Sequence, residues 1–196
     1  MAATTSECGV VLMEAFMWRH QPRTREILHR VSSGAIGELR LIRSSFSFPI
    51  DPGDWRLDPA RGGGALWDVG CYGASTARLF ASAEPRSIEA FAHWSPSGVD
   101  LSLAAALEFP GDLLALVDCS FEQPFRCSYE LVGTLGAIEV PDAYLPPDRP
   151  IAWFVGRDNH REQWNFDGRD QYAAMVDAFH QAAHDGRLAA PSEDGL

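Results

Sequence analysis

Two side chains in the segment GGGALWDVGCYGAS, residues 62–75, could carry out proton chemistry. Asp68 and Tyr72 stand four positions apart, which places them on one face of an α-helix. A phenol can exchange a proton with a substrate hydroxyl, but its ordinary pKa of about 10 requires a nearby cation at neutral pH. A carboxylate one turn away can orient that cation and the substrate. The spacing fits equally a solvated aspartate and an amphipathic core tyrosine, so it leaves both interpretations open.

Glycines flank this pair. Gly62, Gly63 and Gly64 predict a sharp turn into the helix. Gly70, between the carboxylate and the phenol, would leave room for a flat ligand, such as part of a cofactor, or for another backbone to approach closely. No G-x-G-x-x-G follows a strand, so the glycine run is not the fingerprint of a dinucleotide-binding fold.

Four further side chains are candidates for substrate binding. Trp18 and Arg19 follow the first predicted strand, where the tryptophan could stack on a sugar ring and the arginine could bind hydroxyls. Packing against the following loop is the alternative. Trp55 and Arg56 lie in a long loop, residues 49–64, of the kind that often forms a lid or a binding loop. Trp55 could equally fill a small core within that loop.

Composition argues against several other classes of function. The net charge of −11 disfavours a nucleic acid or an anionic membrane as a partner. No apolar run approaches the roughly 20 residues that span a membrane, and the four cysteines form no C-x-x-C pair, so we expect a cytoplasmic protein with free thiols. His180 and His184 are one helical turn apart but have no third ligand nearby in the sequence, so we expect no metal site.

Hydrophobic patterns predict one α+β domain over residues 1–196, an open, mostly antiparallel β-sheet with helices packed on one face. Strands are predicted at 10–16, 37–48, 99–109, 113–121, 126–134, 136–140, 151–156 and 161–166. Helices are predicted from Pro22 to Gly34, at 65–82 and at 171–186, with a helix end before Gly9. In the last helix Tyr172, Met175, Val176 and Phe179 are expected to face inward, with Gly186 as its C-cap.

Three ordered motifs, VVLMEAFMWRHQP, GAIGELRLIRSSFSF and DPGDWRLDPARGGGALWDVGCY, resemble the C-terminal domain of the Gfo/Idh/MocA oxidoreductases. The tyrosine four places after the aspartate, and the M-E-A-F-x-W-R-x-x-P segment, are similar to the branch of D-xylose and dihydrodiol dehydrogenases. The resemblance implies an NAD- or NADP-dependent enzyme acting on a sugar, polyol or related diol. It implies that Tyr72 is the general acid/base and Asp68 its orienting partner.

The resemblance also implies what the chain does not supply. The family's third catalytic element is a lysine in a Glu-Lys-Pro motif of the nucleotide-binding domain, and all sixteen basic residues here are arginines. We therefore expect a truncated oxidoreductase that does not turn over alone. The competing interpretation is a stand-alone, non-catalytic domain that dimerises or binds a small ligand.

Apolar residues on both sides of the predicted strands indicate an interface. Ala115, Val117, Cys119 and Phe121 would lie on one side of their strand, and Leu114 and Leu116 on the other. Helices cover only one face of the sheet, so the second face must be covered in another way. Together with the resemblance, this predicts a homodimer that forms through the sheet.

Overall fold

The fold is an α+β domain, described here over residues 2–185 in a computed structural model. Its helices are α1 (Ala2–Glu7), α2 (Pro22–Ser32), α3 (Cys71–Ala81) and α4 (Gln171–Asp185). Its strands are β1 (Leu39–Ser47), β2 (Ser87–Trp94), β3 (Asp100–Phe109), β4 (Leu113–Ser120), β5 (Arg126–Gly133), β6 (Gly136–Pro141), β7 (Ile151–Gly156) and β8 (Arg161–Asn165).

All eight strands form one open sheet in the order β2-β3-β4-β1-β5-β6-β7-β8. Strands β1 and β4 pair in parallel, and the other neighbours pair antiparallel. The sheet therefore confirms the predicted α+β class. One face packs on helix α3 and the turn before it, and the core lies between them.

Buried residues alternate with more exposed ones along much of β3 and β4, and this alternation shows which face of the sheet is buried. Leu107, Ala115 and Val117 point toward the helices and are buried, whereas Leu114 and Leu116 point to the opposite, open face and are exposed. Successive side chains of a strand point to opposite faces, so the pairing of β3 with β4 determines the face on which each residue of both strands lies.

The predicted strand over residues 10–16 is not formed. These residues have no partner in the sheet, and a strand needs a neighbouring strand for its backbone hydrogen bonds. The amide of Phe16 bonds locally instead, to the carbonyl of Glu14, and the next amide, that of Met17, bonds to the carbonyl of Ala15. A short 3₁₀ helix, Met17–His20, follows.

Two further differences concern the sheet edge and the last helix. The sequence analysis did not predict β2, an edge strand whose residues are largely exposed on both faces and so show no one-sided alternation. In α4 the predicted inward face is wrong: Tyr172, Val176 and Phe179 are exposed. The helix buries Gln171, Ala174 and Ala182 instead. Gly186, the predicted C-cap, lies outside the described residues.

Candidate active site

The glycine run turns the chain into the segment that carries Asp68 and Tyr72. Gly62 and Gly64 have φ angles of 73° and 125°, which side chains other than glycine rarely adopt. A Cβ on Gly63 would lie 2.3 Å from the carbonyl oxygen of Arg56. Asp100, at the start of β3, then accepts a hydrogen bond of 2.6 Å from the amide of Leu66, one of the free donors at the helix start.

Leu66–Gly70 forms a single π-helical turn, which leads directly into α3. The amide of Cys71 bonds to the carbonyl of Leu66, five residues back. Such widened turns occur often at functional sites. Asp68 lies in the π turn and Tyr72 in α3, so the predicted continuous α-helix is interrupted between the two candidate residues.

Gly70 lets this helix approach the sheet, rather than a ligand. It is buried, and a Cβ at this position would lie 2.8 Å from the sulfur of Cys119 on β4. Gly73, one turn later, faces Val117 in the same way, at 2.4 Å. The structure thus supports the second of the two roles considered for Gly70, the close approach of another backbone.

Tyr72 lies in an aromatic environment. Its ring meets Phe16, Phe46 and Tyr144, with centroids 5.6, 5.5 and 5.0 Å apart. Its hydroxyl donates to the sulfur of Met17 at 3.5 Å. Burial, with smaller effects of neighbouring acidic groups that include Cys71, raises the pKa of Tyr72 to about 12. The phenol is therefore protonated at neutral pH.

Tyr144, which the sequence analysis did not single out, packs against the ring of Tyr72 in the core. It is fully buried, and its hydroxyl forms hydrogen bonds with Ser44 of β1 at 2.6 Å and with Thr76 of α3 at 2.8 Å. The hydroxyl of Thr76 in turn donates to the carbonyl of Tyr72. Through these bonds the catalytic candidate is tied to the central strand of the sheet.

Asp68 has an arginine as its partner. The Nε atom of Arg56 lies 2.9 Å from Oδ2 of Asp68, and both side chains are partly buried. The contact with Asp68 is the largest influence that raises the pKa of Arg56. The guanidinium also lies over the ring of Trp55, 4.9 Å from the centroid, and Trp55 itself is about half exposed.

Trp18 and Arg19 differ in how they lie relative to the candidate site. Trp18 has no exposed surface and packs on Tyr144, so in this structure it is a core residue and cannot stack on a sugar ring. Arg19 donates from Nε to the hydroxyl of Ser75 on α3 at 3.0 Å. It therefore approaches the helix that carries Tyr72, next to the candidate site.

Asp68 and Tyr72 open onto one pocket of about 470 Å³. Its walls are Glu14, Ala15, Phe16, Leu66, Trp67, Asp68, Cys71, Tyr72, Ala74, Ser75 and Arg78. Trp67, which is 69% exposed in the structure, was not singled out by the sequence analysis. Its position next to Asp68 was the available signal. The pocket combines a flat apolar surface, a carboxylate and a protonated phenol.

Two negative findings apply to residues 2–185. Their His, Cys, Asp and Glu side chains form no group of three that could hold a metal ion. No helix in this part of the chain is long and apolar enough to cross a bilayer.

Comparisons with known proteins show a domain family and relatives that are oxidoreductases. The family model described as the GFO/IDH/MocA C-terminal domain matches residues 24–139. A D-xylose 1-dehydrogenase (NADP⁺) of Haloferax volcanii is 34% identical over 92% of this chain and 56% of its own. A trans-1,2-dihydrobenzene-1,2-diol dehydrogenase of Xenopus laevis is 31% identical over 77% of this chain and 46% of its own.

Solved structures agree with these relatives. A 3-ketoreductase from Actinomadura kijaniata, in complex with NADP and TDP-benzene, superposes with a TM-score of 0.88 and 32% identity. That match covers 98% of this chain and 61% of the ketoreductase. The chain therefore spans about half to three fifths of the length of the relatives it matches.

Proposed function

Because this chain belongs to the GFO/IDH/MocA C-terminal domain family, we propose that it is the substrate-binding and dimerisation part of an NAD(P)-dependent oxidoreductase. The substrate would be a sugar, polyol or related diol, as the names of the relatives suggest. The observation that carries the proposal is the presence of Asp68 and Tyr72 in the wall of one pocket.

Tyr72 would exchange the proton of the substrate oxygen. With its pKa raised to about 12, the phenol holds its proton at neutral pH and can donate it to the oxygen of a carbonyl that is being reduced. In the oxidative direction it must first lose that proton, which a nearby cation would favour. We infer that a lysine from a nucleotide-binding domain would be that cation, because the family resemblance assigns it this role and this chain contains no lysine.

NAD(P), when bound, supplies or accepts the hydride at the carbon that bears this oxygen. The residues present fit the planar end of the cofactor, since Leu66 and Trp67 offer an exposed apolar surface beside Tyr72. They do not fit its phosphates, because the chain carries no glycine-rich strand-to-helix turn. The rest of the cofactor would be bound by another domain, so we expect no turnover by the isolated chain.

The open face of the sheet would form the dimer interface. Phe91, Leu114 and Leu116 are 80%, 51% and 43% exposed on this face. Ion pairs on the same face, such as Arg43 with Glu130, place both signs of charge there. A two-fold interface brings the same surface together with itself, so an apolar patch with paired charges suits it.

A stand-alone binding or dimerisation domain is the second candidate, because the chain lacks any lysine. The coding sequence upstream of Met1 distinguishes the two. An open frame that encodes a strand, G-x-G-x-x-G and later Glu-Lys-Pro supports the oxidoreductase. A stop codon and a promoter directly upstream would refute catalysis by this protein and leave ligand binding or dimerisation to be tested.

A further inference from the structure

We propose that Arg56 is a positioning residue that holds Asp68 in the pocket and does not itself bind the substrate. The inference rests on the proposed function, because it assigns a role within the same site. It also replaces the expectation from sequence that Arg56 contacts the substrate.

The guanidinium of Arg56 is already engaged on several sides. Its Nε lies 2.9 Å from Oδ2 of Asp68, and its Nη1 lies 3.4 Å from Oδ2 of Asp54. Its plane rests over the indole of Trp55. An arginine fixed between two carboxylates and an aromatic ring has little freedom to follow a substrate, but it restricts the carboxylate that it contacts.

The backbone of Arg56 anchors the same loop to the start of the helix. Its carbonyl accepts a hydrogen bond from the amide of Gly64 at 3.0 Å, while Asp54 accepts one from its amide at 2.9 Å. Gly63 packs so closely on that carbonyl that no side chain would fit. The position of Arg56 is thus fixed by main-chain contacts that do not depend on the ion pair.

Asp68 lies in the π turn, whose geometry differs from that of the α-helix after it. The ion pair with Arg56 would restrict the carboxylate of Asp68, which lines the same pocket as Tyr72. Misplacement of a catalytic group by about 1 Å can lower a rate by roughly 100-fold. We expect loss of Arg56 to affect the chemical step more than substrate affinity.

A double-mutant cycle in the complete oxidoreductase tests this role. R56A should lower kcat by about 10- to 100-fold, with the KM of the sugar or diol nearly unchanged. In a D68N background R56A should change kcat little, because D68N has already removed the ion pair between residues 56 and 68. R56K should retain part of the activity. The control is R61A, since Arg61 pairs with Asp58 in the same loop.

Direct substrate binding predicts the opposite pattern. R56A would then raise KM by the same factor in the wild-type protein and in D68N. That result would overturn the inference. Wild-type kinetics for R56A would also overturn it.

Hydrogen exchange on the isolated chain separates failure of this inference from failure of the proposed function. The amide of Asp68, which bonds to the carbonyl of Gly64, should exchange faster in R56A than in wild type or R61A. The amide of Gly64 is the internal control, because it bonds to the main-chain carbonyl of residue 56, which R56A keeps. Unchanged exchange at Asp68 in R56A would contradict the positioning role even if no substrate is found. Faster exchange in a protein without oxidoreductase activity would support the link while refuting the proposed reaction.

Discussion

Replacement of Gly70 by alanine tests whether this glycine serves the packing of the helix or the approach of a ligand. The new methyl group would lie 2.8 Å from the sulfur of Cys119, a distance at which one of the two must move. Overpacking of this kind costs about 1–3 kcal/mol, and the better helix propensity of alanine offsets about 1 kcal/mol. We therefore expect G70A to lower the free energy of unfolding by about 1 kcal/mol, between roughly 0 and 2.

The cause can be isolated by removal of the opposing sulfur. In the C119A background the nearest atom of residue 119 is its Cβ, at an ordinary contact distance of 3.5 Å from the new methyl group. The remaining close atom is Cδ1 of Leu66 at 3.0 Å, which lies at the end of a side chain that can rotate away. There the propensity gain remains and the methyl group fills part of the space left by the sulfur. G70A should consequently stabilise the C119A protein by about 1 kcal/mol, so the sign of its effect should reverse.

Urea unfolding, followed by circular dichroism, measures all four proteins. Each kcal/mol should also move the thermal midpoint by about 2–4 °C in a domain of this size. If G70A stabilises both backgrounds equally, the face of Gly70 is open. The assignment of this glycine to helix–sheet packing would then be refuted, and close approach of a cofactor would again explain it.

Three other expectations concern the cap, the pH and the interface. D100A removes the acceptor of the Leu66 amide and should cost about 1–2 kcal/mol in urea unfolding, whereas D100N should cost less; equal costs would argue against a capping role. Burial raises the pKa of both Tyr72 and Cys119 to about 12, from ordinary values of about 10 and 9. Their contribution to stability is complete below those ordinary values and is lost as the pH rises toward 12. The free energy of unfolding should therefore fall between about pH 8 and 11, and a constant value over this range would contradict the prediction. L116D should shift a dimer toward monomer in sedimentation experiments, while V176D, on the outer side of α4, should not; equal effects would refute the sheet interface.

Much of the fold follows from local patterns in the sequence. The alternation in β3 and β4 predicts both the strands and the face that each residue takes, because a strand buried on one face has a period of two. The glycine run predicts the turn before Asp68, because few other residues adopt the φ angles observed there. These elements depend on contacts that neighbouring residues determine.

Other elements depend on partners that are distant in sequence. Residues 10–16 have the composition of a strand, but no strand lies beside them. Helix α4 has an apolar side in the expected place, yet it docks through Gln171, whose amide donates to the carbonyl of Tyr144. A local pattern can reveal an amphipathic helix without revealing which side meets the rest of the protein.

The site shows the same division. Asp68 and Tyr72 could be selected from spacing and from family resemblance, and both line the pocket. The pairing of Arg56 with Asp68 spans twelve residues and a turn of irregular geometry, so no periodicity reveals it. The burial of Trp18 likewise arises from Tyr144, which lies more than one hundred residues away.

The most direct test of the central claim is the steady-state rate of the complete protein with NAD(P)⁺ or NAD(P)H and a panel of sugars, polyols and diols, compared with that of Y72F. The phenylalanine keeps the ring contacts with Phe46 and Tyr144 but removes the proton. We predict a loss of about 100- to 10,000-fold in kcat with unchanged binding of the cofactor. Equal rates for wild type and Y72F would show that Tyr72 is not the acid/base group of this protein.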